Sequence, residues 1–120
     1  MDFSKLDKNK SVHKLKGIGP IYYLNLDEQT ERRKFMEDQF KYWEVENYER
    51  ISAYDGREDD LSDVIKGRYP PMMTSREVGC TTSHLRAIKH YLETSDSPYA
   101  VIMEDDCSFD LVKFWNFTWS

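Results

Sequence analysis

The order of segments along the chain predicts an α/β fold with an at least partly parallel sheet. Two short apolar runs, Ile21 to Leu26 and Tyr99 to Met103, have the length and residue types of buried strands. Two stretches with helical spacing lie between them, and each strand-like run ends in polar residues. In such sheets ligands collect beyond the carboxyl ends of the strands, so those polar ends are the first places to look for a site.

Taken in order, ordered structure is expected to begin at the Gly/Pro boundary Gly17-Ile18-Gly19-Pro20, which leads into the first strand. Asp27 follows that strand as a candidate N-cap. Phe35, Met36, Phe40 and Trp43 then mark one face of a helix, with Glu31, Arg32, Lys34 and Asp38 pointing outward. A weaker strand fits Tyr48 to Ala53 and closes on the turn dipeptide Asp55-Gly56. Residues 57–73 contain acidic residues, a glycine and Pro70-Pro71, which predicts a long irregular loop. Thr74 and Glu77 have the spacing of a capping box. Val78, Thr81, Leu85, Ile88 and Leu92 form the apolar stripe of a second helix that ends near Thr94. The last strand runs directly into Glu104-Asp105-Asp106.

Size and charge narrow the function classes. A chain of 120 residues suffices for one domain. Its 32% charged and 39% hydrophobic residues are those of a globular protein. A net charge of −5 argues against a nucleic-acid binder, because neutralising phosphates needs a basic excess. The lysines at 5, 8, 10, 14 and 16 make residues 1–18 a basic arm, expected to be flexible. No apolar run has the roughly 20 residues of a membrane span, and the N-terminus lacks the apolar core of a secretory signal. The expected setting is cytoplasmic, with Cys80 and Cys107 as buried free thiols.

Among residues that could carry chemistry, Glu104-Asp105-Asp106 stands out. Alternation along an extended segment would send Glu104 and Asp106 one way and Asp105 the other. Clustered carboxylates suit a hard cation such as Mg²⁺ or Mn²⁺, although a solvated acidic turn after a strand is the plainer explanation. Asp55-Gly56 alone is a turn, and Asn25 and Asp27 have local capping uses. Arg32 and Arg33 suit either a solvated face or a phosphate clamp. His84 suits an ordinary half-buried histidine. Gly79 costs about 1 kcal/mol in a helix relative to alanine, which favours close approach of another backbone or a ligand.

Their order resembles that of glycosyltransferase family 25, which includes bacterial lipooligosaccharide galactosyltransferases and the collagen galactosyltransferases of animals. Four blocks carry the resemblance. They are Tyr23-Leu24-Asn25-Leu26-Asp27 with Arg32-Arg33; Arg50 to Gly56; Glu77 to Leu85, containing Gly79-Cys80-x-x-Ser83-His84; and Val101 to Asp106. The resemblance implies the N-terminal part of a GT-A-like (Rossmann-like) nucleotide-sugar-binding sheet. It assigns residues 19–120 to a partial family 25 domain. It further implies a metal-dependent transferase, as in lipopolysaccharide biosynthesis, moving a hexose with inversion from a UDP-sugar (UDP-galactose by analogy) to a glycan acceptor. Carried over residue by residue, Asp106 and Glu104 would bind Mn²⁺ (or Mg²⁺), and Asp105 would face the donor sugar or ribose. Asn25, Asp27 and Arg32 would surround the nucleotide, Asp55-Gly56 the base or ribose, and Ser83 and His84 would support the floor.

The matching blocks end near residue 110, whereas domains of that family continue past the acidic motif. No residue here suggests itself as the catalytic base. The aromatic terminus, with Phe114, Trp115, Phe117 and Trp119, is expected to pack against a complementing chain or a second copy. An alternative is a truncated, non-catalytic remnant that binds a nucleotide or a partner chain. A nucleotidyltransferase would need a phosphate-cradling glycine-rich loop, and the five glycines form none.

Overall fold

A computed structural model describes residues 13–56, 72–115 and 117–119. The loop expected over 57–73, apart from Met72 and Met73, lies outside the described residues, as do residues 1–12. The elements run β1 (Ile21–Asn25), α1 (Thr30–Tyr42), β2 (Tyr48–Ser52), α2 (Ser75–Thr94) and β3 (Val101–Glu104), followed by a 3-10 turn at Val112–Phe114. The strands pair in the order β2-β1-β3, and both pairings are parallel. This is the α/β class the sequence predicts.

β1 is central, and all five of its residues are buried. Its side chains alternate between two cores. Ile21 and Tyr23 pack with Met36 and Phe40 of α1, whereas Tyr22 and Leu24 pack with Ala87 of α2. The helices therefore cover opposite faces. Right-handed crossovers to the two sides of a central strand require this arrangement. The chain reverses its direction of travel between β1 and β3, so their carboxyl ends flank the switch point where such sheets bind ligands.

Three expectations are corrected. First, α1 begins at Thr30, and Asp27 does not cap it; Gln29 stands at the N-cap position without a side-chain bond. A turn comes first, with Gln29 N donating to Leu26 O at 3.0 Å. Met36, Phe40 and Trp43 are buried as expected, but Phe35 is 44% exposed. Second, α2 buries Gly79, Thr82, Ser83 and Ala87, while Leu85, Ile88 and Leu92 face outward at 55%, 41% and 71% exposure. The cause is close packing. A Cβ on Gly79 would sit 2.5 Å from Gly56 N and 2.8 Å from Tyr54 O, so only small residues fit on that side. At about 100° of rotation per residue, the inward face is turned roughly 150° away from the apolar stripe.

Third, the chain is anchored ahead of residue 19. Leu15 is 2% exposed within the α1-side core, and Ile18 is buried beside it. Lys14 Nζ donates to the carbonyls of Lys113 at 2.7 Å and Trp115 at 2.5 Å, neutralising the end of the 3-10 turn. The aromatic C-terminus partly folds back: Trp119 N donates to Lys14 O at 2.8 Å, and Trp115 stacks on Phe117. The cap of α2 is as expected, with Thr74 Oγ1 accepting from Glu77 N at 3.2 Å.

Candidate functional site

The carboxyl ends of all three strands converge on one cleft of about 290 Å³. Its walls include Leu24 and Leu26 from the end of β1, Ala53 to Gly56 after β2, and Glu104 and Asp105 from β3. Arg32 of α1 and Arg76, Cys80 and Ser83 of α2 complete it. Two guanidinium groups, Arg32 and Arg76, thus share a small cavity with three carboxylates, Asp55, Glu104 and Asp105.

Asn25 organises the floor. It is 1% exposed, and its amide NH₂ donates to Asp105 Oδ2 at 2.9 Å and to Gln29 O at 3.0 Å. Its Oδ1 accepts from Arg50 Nε at 2.9 Å, so the donors and acceptor of this buried amide are all used. Arg50 also donates to Asn25 O at 3.1 Å and to the Asp27 carboxylate. Ser52 Oγ donates to Asp27 at 2.7 Å. These two hydrogen bonds, Arg50's first, hold the Asp27 carboxyl below its usual range. Asp27 is therefore a brace between β1 and β2.

The acidic triplet does not alternate as extended backbone would. β3 ends at Glu104, and a turn closed by Cys107 N donating to Glu104 O at 3.2 Å takes up the next residues. Asp105 swings inward, 9% exposed, onto Asn25, with Arg32 Nη1 at the longer distance of 3.5 Å. Glu104 stays exposed, and its Oε1 accepts from Cys80 Sγ at 3.0 Å. That bond, then burial, pushes the Cys80 thiol up to about 11. Burial, helped by the Asp106 charge, raises Cys107 as well. Both thiols are half-buried and unpaired rather than fully buried. Asp106 is exposed and makes no hydrogen bond among the described residues. Among those residues, the ligand atoms gathered within 4.8 Å of one another belong to Cys80, His84 and Glu104.

Ser83 and His84 differ in their relation to the cleft. Ser83 lines the cleft, but its hydroxyl is occupied, donating to Gly79 O at 2.6 Å and accepting from Tyr54 N at 2.8 Å. It holds α2 against the Tyr54–Gly56 segment. His84 is half-buried and does not line the cleft. Asp55 and Gly56 do line it. Arg50, Arg76 and Cys80 were not singled out as site residues from sequence. Arg76, Cys80 and Ser83 follow helical spacing, a signal overshadowed by the apolar stripe on the same helix.

Comparison with known proteins bears directly on this arrangement. The model of glycosyltransferase family 25 (LPS biosynthesis protein) matches residues 18–117. The chain belongs to glycosyltransferase family 25. A protein of Acanthamoeba polyphaga mimivirus named as a putative glycosyltransferase is 32% identical over 94 residues, covering 74% of this chain and 29% of that protein. The chain thus spans less than a third of the length of this relative. No solved structure matches significantly. Within the described residues, no helix is long and apolar enough to cross a membrane.

Proposed function

We propose that this chain forms the donor-binding part of a family 25 hexosyltransferase of GT-A type that uses a UDP-sugar. The observation that carries the reading is the convergence of three parallel strand ends on one cleft holding Arg32, Arg76, Glu104 and Asp105. Guanidinium groups match diphosphate oxygens in charge and geometry. Asn25 and Asp27 act from beneath, by fixing Asp105 and Arg50, more than by contact with the nucleotide.

Glu104 and Asp106 would hold a hard divalent cation, Mn²⁺ or Mg²⁺. Both carboxylates are exposed at the strand end, and Asp105 is committed elsewhere. Such an ion would offset charge developing on the departing UDP. Asp105, buried and hydrogen-bonded, presents a fixed negative wall to the donor sugar or ribose. Asp55-Gly56 also borders the cleft, and Ser83 sets its position through Tyr54. Galactose as donor, inversion at the anomeric carbon and a glycan acceptor follow from family kinship and complete the proposal, as does a cytoplasmic setting.

The test is a UDP titration followed by intrinsic tryptophan fluorescence, with and without Mn²⁺. Mn²⁺ should tighten UDP binding about tenfold or more, Asp106→Ala should remove most of that gain, and Arg76→Ala should weaken binding at every metal concentration. UDP binding that is absent, or indifferent to both Mn²⁺ and Asp106→Ala, would overturn the assignment.

A further inference from the structure

Beside the carboxylate pair lies a donor set of different chemistry. Cys80 and His84 are four residues apart on α2 and so share one helix face. That face meets the end of β3, where Cys80 Sγ stands 3.0 Å from Glu104 Oε1. One ligand atom from each of Cys80, His84 and Glu104 lies within 4.8 Å of the other two. In a tetrahedral zinc site, bonds of about 2.0–2.3 Å place neighbouring ligand atoms roughly 3.5 Å apart. The remaining gap of at most about 1.3 Å is of a size that side-chain rotation can cover. His84 is half-buried, and its imidazole has no hydrogen-bond partner among the described residues.

We propose that Cys80 Sγ, an imidazole nitrogen of His84 and a carboxylate oxygen of Glu104 form a three-ligand site for a zinc-type divalent transition ion. Thiolate and imidazole donors select Zn²⁺ or Co²⁺ over Mg²⁺ and Mn²⁺, which prefer oxygen. Three protein ligands leave a fourth position open. Cys80 and Glu104 also line the 290 Å³ cleft, so an oxygen of a molecule bound there can reach that position. In the metal-free chain the thiol proton bridges Cys80 and Glu104. On binding, the ion takes the place of that proton, which passes to solvent. The site shares Glu104 with the proposed nucleotide-associated cation but does not depend on nucleotide binding.

Co²⁺ titration of the whole chain, without nucleotide, tests this directly. Thiolate-to-cobalt charge transfer should appear in the near ultraviolet together with strong visible bands of tetrahedral Co²⁺. Cys80→Ala should abolish the charge-transfer band, Cys107→Ala should retain it, and His84→Ala should weaken Co²⁺ binding about tenfold or more. A large excess of Mg²⁺ should leave the band in place. A native chain that gives no charge-transfer band overturns the site, whatever the variants do. So does a band that follows Cys107 or yields to Mg²⁺. Because UDP is absent, these results stand apart from the nucleotide titration.

Discussion

The two faces of the sheet are built by different means. On the α1 side, large apolar and aromatic side chains fill the space. Phe40 is fully buried, stacked on Tyr48 at 4.4 Å and tilted against Tyr23 and Phe109. On the α2 side the first half of the helix makes contact through small residues and backbone, with Gly79 against Gly56 and Ser83 bonded to Tyr54. Its second half brings rings, Tyr91 and His90, onto Tyr22. Burial of apolar area is non-directional and tolerates adjustment. Close backbone approach is specific in position, and it leaves room for polar groups at the strand ends. The cleft is accordingly lined from α2 by three residues and from α1 by Arg32 alone. Bulk stability resides on one face, and positional accuracy on the other.

Substitutions on either face can break this contrast. Phe40→Ala should cost the most, about 3–5 kcal/mol in urea unfolding, since it empties the centre of the aromatic cluster. A loss under 1 kcal/mol would show that the α1 face is not the main store of stability. Asn25→Ala, between the faces at the end of β1, should cost about 2–4 kcal/mol. It strips the buried Asp105 carboxylate and the Arg50 guanidinium of a partner together.

Gly79→Ala should destabilise by about 1–3 kcal/mol even though alanine is the better helix former, because the added methyl meets backbone atoms that cannot swing away. Leu92→Ala, on the same helix but 71% exposed, should change stability by less than about 0.5 kcal/mol. Equal losses from the two would mean that α2 packs through its apolar stripe after all. The smallest effect is expected at the exposed brace Asp27. Its carboxyl is held below the ordinary value of 3.8, so its contribution is present above that value and fades as pH falls through the lowered one. Asp27→Asn should flatten the stability–pH curve below about pH 4 and nowhere else; an unaltered acid limb would remove Asp27 from the brace.

How much was legible follows the same division. β1 and β3 were readable from uninterrupted apolar runs, because a central or covered strand needs such residues on both faces. β2 was weaker because Tyr48 and Glu49 are exposed and charged residues interrupt its apolar run. β3, also at an edge of the described sheet, begins instead with three partly buried apolar residues. The α1 face was largely readable, Phe35 excepted. The α2 face was misread because apolar periodicity finds the greasiest side of a helix, and here the greasiest side is not the one in contact. Polar residues after β1, β2 and β3 meet around one cleft, as their places at the strand ends suggested. Their individual directions were not readable, since alternation stops where β3 gives way to a turn at Asp105.

Sequence alone determined the α/β order, the family and the three polar strand ends, because each is written in contiguous residues. Tertiary structure decided which member of Glu104-Asp105-Asp106 turns inward, and that Asn25 meets a carboxylate 80 residues away. It also decided that Cys80 and His84 face Glu104. This last outcome depends on how closely α2 approaches the sheet, and that distance is set where Gly79 passes Gly56.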